Sequence, residues 1–218
     1  MMKIAVLDTG IDLRHPLVKD NVVKYYNGTS LIYPDDVRDI NGHGTHIASI
    51  ITGICPDCEL YIIKVLDNKG LCDFRDLSRG FSFALENEVD IINVSLGADI
   101  YNEGIHGFVN LAASIGMSVV ASAAYDTGKC YPANLNEAIA VGAIDYEGNI
   151  CSFNTEDKFI DIYAPGLDIV GARSFTDKTR KMSGTSQATA HVSGVLAALN
   201  NDREELYKHV ENKILKYK

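Results

Sequence analysis

Three residues far apart in the chain, Asp8, His43 and Ser186, each stand where a patterned run meets a turn, and together they are the groups that nucleophilic acyl transfer requires. Ser186 lies in Lys181-Met182-Ser183-Gly184-Thr185-Ser186-Gln187-Ala188. There small and hydroxyl residues give way to apolar and small positions at helical spacing, which places Ser186 in the first turn of a buried helix. At such a helix start an oxygen sits beside unpaired backbone N–H groups and the positive end of the dipole, which favour developing negative charge. A serine there also serves as a plain N-cap, and the residue alone does not separate the two roles. Asp8 closes the apolar run Ile4-Ala5-Val6-Leu7 and precedes a turn at Gly10, while Asn41-Gly42-His43-Gly44-Thr45-His46 puts a histidine at a second helix start. Ser186 would be the nucleophile, His43 its general base and then acid, and Asp8 the group that orients the ring. Asp12 competes with Asp8 but lies past the Gly10 turn. His46 and His191 are expected to be structural, since a metal site at His43 and His46 lacks a third ligand.

With Asp8-Thr9-Gly10, His43-Gly44-Thr45-His46 and Gly184-Thr185-Ser186-Gln187-Ala188-Thr189-Ala190-His191-Val192-Ser193-Gly194 in this order, the chain resembles the subtilisin-like serine proteases. The resemblance extends to Asn93-Val94-Ser95-Leu96-Gly97, similar to the family's substrate-binding strand, and to Tyr131-Pro132-Ala133, Ala140-Val141-Gly142-Ala143 and Ala164-Pro165-Gly166. It implies an Asp8–His43–Ser186 triad, and a peptide held extended against Ser95, Leu96 and Gly97 with Ala123, Ala124 and Asp126 at the adjoining pocket. The same resemblance marks the departures. The family's oxyanion asparagine is replaced by Tyr125 in Ala121-Ser122-Ala123-Ala124-Tyr125, and losing such a donor costs about 2.7–4 kcal/mol. The Ser186 N–H, the Thr185 hydroxyl or the Tyr125 hydroxyl are the available substitutes. The segment from His43 to Lys64 is short and lacks the family's calcium-binding loop, so no metal and no cofactor are expected. The short loop after Tyr125 implies an open pocket, whose rim Asp126 would favour Lys or Arg.

These residues need a scaffold, and the remaining sequence supplies one. Short β-rich runs over 4–7, 59–65, 90–94, 118–121 and 138–141 alternate with helical patterns over 45–52, 73–88, 104–115 and 185–199. That is the signature of an α/β fold with a parallel central sheet and helices on both faces, the three-layer subtilisin-like arrangement, in one peptidase domain over 1–218. Residues 202–218, with apolar Leu206, Tyr207, Val210, Ile214 and Leu215, read as a surface amphipathic helix.

The chain of 218 residues is 46% hydrophobic and carries 29 acidic against 20 basic residues, a net charge of −9, which argues against nucleic acid or an anionic membrane as partner. Met1 to Leu7 fit no signal peptide, so a cytoplasmic location is expected. Five cysteines, an odd number, argue against a disulfide framework. Cys55-Pro56-Asp57-Cys58 has redox or metal-ligand spacing, but without a second pair it reads as two ordinary thiols. Asp35, Asp36 and Asp39 read as an acidic surface loop and not as a cation site. The sequence therefore predicts a serine endopeptidase, with reduced loops that suit a dedicated processing protease for a precursor peptide. The alternative is a weak or inactive homologue that binds peptides or regulates, and an esterase or peptide ligase would use the same triad.

Overall fold

A computed structural model describes residues 1–30, 32–125 and 128–215. In chain order the elements are β1 (Lys3–Asp8), β2 (Val22–Asn27), α1 (His43–Ile54), β3 (Glu59–Lys64), α2 (Phe74–Glu86), β4 (Ile91–Val94), α3 (Glu103–Ser114), β5 (Ser118–Ser122), β6 (Ala138–Ile144), β7 (Ile162–Pro165), β8 (Ile169–Ala172), β9 (Thr179–Met182), α4 (Thr185–Ala198), α5 (Arg203–Lys208), β10 (Val210–Glu211) and β11 (Ile214–Leu215). Nine strands form one sheet in the order β10-β11-β7-β6-β5-β4-β1-β3-β2, and every pairing except β10 with β11 is parallel.

Strand alternation divides the apolar side chains between two faces. Ile4, Val6, Leu60, Ile62, Val120 and Ile139 join Ile47, Ile51, Ala188, Val192 and Leu196 of α1 and α4 on one side. Ala5, Leu7, Ile63, Ile92, Val94, Val119 and Ala121 join Leu77, Phe81, Ile105 and Val109 of α2 and α3 on the other. The sheet is thus covered on both faces, as the alternating pattern predicts. α4 lies deepest, and its small residues let it approach α1: a Cβ on Gly194 would stand 2.9 Å from the Ile54 Cβ.

The chain starts at β1, goes to the edge strand β2, inserts β3 between the two, then crosses to place β4 on the other side of β1. The sheet order therefore reverses between β1 and β4, and the crevice at their carboxyl ends is where open α/β sheets hold ligands. Asp8 ends β1 and Ser95 follows β4 directly.

Two expectations need correction. The tail is not one helix: α5 stops at Lys208, and the chain turns through left-handed Asn212 and Lys213 into a β10–β11 hairpin that lengthens the sheet beyond β7. Its apolar residues serve two elements, with Leu206 buried on the helix and Leu215 buried on the strand. Nor is the acidic segment wholly on the surface. Asp36 is held well below the usual carboxylate range, to about 2, chiefly by its hydrogen bond with exposed Arg38, but Asp39 is completely buried. No helix among the described residues is long and apolar enough to cross a membrane.

Candidate active site

β1 delivers Asp8 to the sheet edge, and the chain then turns at Gly10 (φ +114°), where a Cβ would lie 2.2 Å from the Val37 carbonyl oxygen, so only glycine fits. The Asp8 carboxylate accepts from the Thr9 N–H at 2.7 Å, and the His43 Nδ1 lies 2.8 and 3.0 Å from its two oxygens. With Nδ1–H donating to Asp8, the Nε2 lone pair is left to act as a base. Burial is the largest influence on the imidazole and lowers its pKa, as does the Arg180 charge. The Asp8 charge and hydrogen bond, joined by the Asp39 charge, outweigh these and raise it overall.

Asp39 explains how His43 is held. α1 begins after Gly42, which has no side chain to cap it, and its first turn contains no acidic residue. The Asp39 carboxylate takes that role from three residues upstream. It accepts from the Gly42 N–H (2.6 Å), the Thr45 N–H (2.8 Å), the Thr45 hydroxyl (2.6 Å) and the Thr9 hydroxyl (2.7 Å), while the Gly44 N–H donates to the Thr9 Oγ1 (2.9 Å). A buried anion at a helix N-terminus with four donors is well compensated, and here it ties the first turn of α1 to the residue after Asp8. The sequence reading missed this role because Asp35, Asp36 and Asp39 look alike in composition. Asp12, the competitor of Asp8, accepts instead from the Arg14 and Phe175 N–H groups.

Ser186 is the second residue of α4. Its hydroxyl donates to the Ser95 carbonyl at 3.2 Å, and the Ser95 hydroxyl donates back to the Ser186 carbonyl at 3.3 Å. Asn93 and Ser193 extend this buried network at 2.9 Å each, which fixes α4 to the end of β4. The Ser186 hydrogen bond is thus to Ser95 and not to the imidazole. Ser95, Leu96 and Gly97 form a wall shared by two hollows: one of about 280 Å³ containing Thr9 and His43, the other of about 370 Å³ containing Ser186, Ala123, Ala124 and Tyr125. Behind Gly97 sits Cys130, whose Sγ would be 2.1 Å from a Cβ there. Burial pushes that thiol up to about 11, which keeps it protonated.

The Thr185 hydroxyl is committed to the Ala123 carbonyl at 2.9 Å, so it ties α4 to the chain after β5. Tyr125 is half exposed, packs edge-on against Phe153 at 5.7 Å, and carries its hydroxyl across to Gly184, 2.3 Å from where a Cβ would stand. Gln187, directly after Ser186, is buried with its Oε1 3.0 Å from that same point and its Nε2 without a hydrogen-bond partner among the described residues. The sequence reading passed over Gln187, for which only its position next to the nucleophile was a signal. Asp126 lies outside the described residues. An apolar hollow of about 480 Å³, lined among others by Leu71, Phe74, Leu96, Ile100 and Tyr131, adjoins the 95–97 wall.

The other singled-out residues lie away from this chemistry. The His46 Nε2 lies 3.1 Å from the Ile169 carbonyl and 3.3 Å from that of Arg180, pinning the β8–β9 hairpin to α1, and burial lowers its pKa to about 4. The His191 Nδ1 lies 3.0 Å from the Gln187 carbonyl, and burial lowers its pKa too. Cys55 and Cys58 are free thiols at the far end of α1, raised in pKa mainly by burial, in Cys58 to about 12.

Compared with known proteins, residues 1–216 match the model of the subtilase family, Peptidase_S8. The chain is 35% identical to the thermophilic serine proteinase of Bacillus sp. (strain AK1) over 210 residues, 90% of this chain and 51% of that protein. It is 34% identical to the major intracellular serine protease of Bacillus subtilis (strain 168), covering 95% of this chain and 70% of the relative. It is also 34% identical to thermitase of Thermoactinomyces vulgaris, covering 96% and 80%. The chain thus spans about half the length of the first of these and most of the other two.

Proposed function

The chain belongs to the subtilase family, and from that membership we propose that it is a serine endopeptidase working through Asp8, His43 and Ser186. The observation that carries this reading is the pairing of buried Asp8 with partly buried His43, whose hollow shares the Ser95–Leu96–Gly97 wall with that of Ser186 at the start of α4.

A peptide adding as a strand along residues 95–97 offers its own N–H groups to that wall. Once one of them takes the Ser95 carbonyl, the Ser186 hydroxyl loses its present partner and turns to the His43 Nε2. The hydroxyl oxygen then attacks the scissile carbonyl as its proton passes to Nε2. The resulting oxyanion is met by the Ser186 N–H, unpaired in the first turn of α4, and by the Tyr125 hydroxyl in the role of the missing asparagine. Collapse breaks the C–N bond, and the Nε2 proton leaves with the amine. Water, deprotonated by the same nitrogen, releases the acyl group and restores Ser186. The Asp8 charge stabilises the imidazolium at each stage.

The name of the Bacillus subtilis relative supports an intracellular setting. Restriction to one precursor would show as cleavage in a single sequence context. The test is a fluorophosphonate probe together with mass spectrometry of a peptide mixture, using the wild type and Ser186→Ala. Labelling and new peptide termini are expected with the wild type alone. A folded wild type that neither labels nor cleaves would leave the peptide-binding homologue as the better reading.

A further inference from the structure

Acyl-side recognition uses the 95–97 wall, but the departing half of the peptide must pass His43, which protonates it. Gly42, the residue before His43, is faced by Ser174 between β8 and β9 and by Arg180 of β9. Residues on β9 alternate, with Thr179 and Lys181 exposed and Arg180 and Met182 turned inward. The Arg180 Nη2 lies 2.9 Å from where a Cβ on Gly42 would stand, one residue before His43, and neither Arg180 nor Gly42 borders the two hollows of the acyl side.

Among the described residues this guanidinium meets no counter-ion. Lys181 meets Asp168 at 3.6 Å, but Arg180 has no salt bridge among the described residues, and its Nε is buried without a hydrogen-bond partner. The surrounding segment 173–181 carries Arg173, Lys178, Arg180 and Lys181 against Asp177 alone, in a chain whose net charge is −9. An arginine stays charged under all relevant conditions, and its planar fork fits a carboxylate with two parallel bonds. A half-buried guanidinium left unpaired beside the reacting centre is therefore a recognition group awaiting its anion.

We propose that Arg180 selects substrates carrying an acidic side chain at the first or second residue after the scissile bond. The inference rests on the endopeptidase reading and adds the specificity of its leaving-group side.

The test uses internally quenched peptides based on one cleaved sequence, differing only in Glu, Gln or Lys at those two positions, with the wild type, Arg180→Met and Arg180→Lys. The wild type is expected to favour Glu over Lys by about tenfold in kcat/KM, equivalent to ~1.4 kcal/mol, and the ratio should shrink as salt is raised. Arg180→Met should lose the ratio, and Arg180→Lys should keep part of it. Equal wild-type rates for Glu and Lys would overturn the proposal. So would an Arg180→Met protein that keeps the ratio, or one that slows all three peptides alike, which would make Arg180 a support for the Gly42 turn. Failure of the wild type to cut any peptide would instead remove the endopeptidase reading, and this proposal with it.

Discussion

At the scale of single residues, the proposed roles of Asp8 and His43 predict how activity depends on pH. Only the neutral imidazole can accept the serine proton, so a raised His43 pKa moves the acid limb of the kcat/KM profile above the ordinary histidine value near 6.5. Activity should rise through neutrality and fall as pH drops through that limb. Asp8→Asn removes the charge that raises the ring and gives the wrong tautomer, so it should shift the limb downward and cut kcat by roughly 10⁴; a pH–rate series on both proteins checks both effects. Tyr125 poses a sharper question, because its ring also packs on Phe153 and a larger change would disturb the fold. Tyr125→Phe keeps the ring and drops only the hydroxyl, so kcat should fall about 10- to 100-fold with little change in KM if that oxygen meets the oxyanion. Unchanged turnover in Tyr125→Phe would leave the Ser186 N–H as the main donor.

At the scale of elements, the first turn of α1 depends on one carboxylate. Asp39→Ala would strip partners from the Gly42 and Thr45 N–H groups and from the Thr9 and Thr45 hydroxyls, all in a buried site. Unfolding free energy should drop by about 3–5 kcal/mol, read from urea midpoints. α1 also carries His46, which fastens the β8–β9 hairpin to it. Burial holds that ring to a pKa of about 4, below its unfolded value, so the unfolded chain binds the proton more readily. Its stabilising share is present above pH 6.5 and is lost as pH falls from there toward 4. For His46 alone the loss between pH 7 and pH 5 is about 2 kcal/mol. His191, also lowered, adds to this trend, and His43, raised, opposes it. The difference in unfolding free energy between pH 7 and pH 5 should narrow in His46→Gln, and an unchanged difference would exclude His46 as its source.

At the scale of the whole molecule, two apolar layers hold the sheet between helix pairs, and the site occupies the crevice where the strand order reverses. Phe81, fully buried on α2, fills the layer opposite α1 and α4. Phe81→Ala should cost about 3–5 kcal/mol and lower the melting temperature while leaving the pH profile of any remaining activity in place, because Asp8 and His43 are not part of that layer, which Leu96 of the 95–97 wall does pack against. The sequence by itself determined the α/β class, most of the central strands and the main helices, and it singled out Asp8, His43 and Ser186 as candidates, because periodicity and turn residues are local signals and chemical side chains announce themselves by type. Only the tertiary structure decided that Asp39 is a buried cap while Asp36 is a surface ion, that Thr185 binds Ala123, that Tyr125 reaches Gly184, and that Arg180 stands unpaired beside Gly42. It also decided that the tail divides into α5 and a hairpin, since only the open edge beyond β7 gives those few residues a partner. Each of these depends on which distant backbone or charge faces the side chain, and that is fixed when the chain packs, not by its neighbours in sequence.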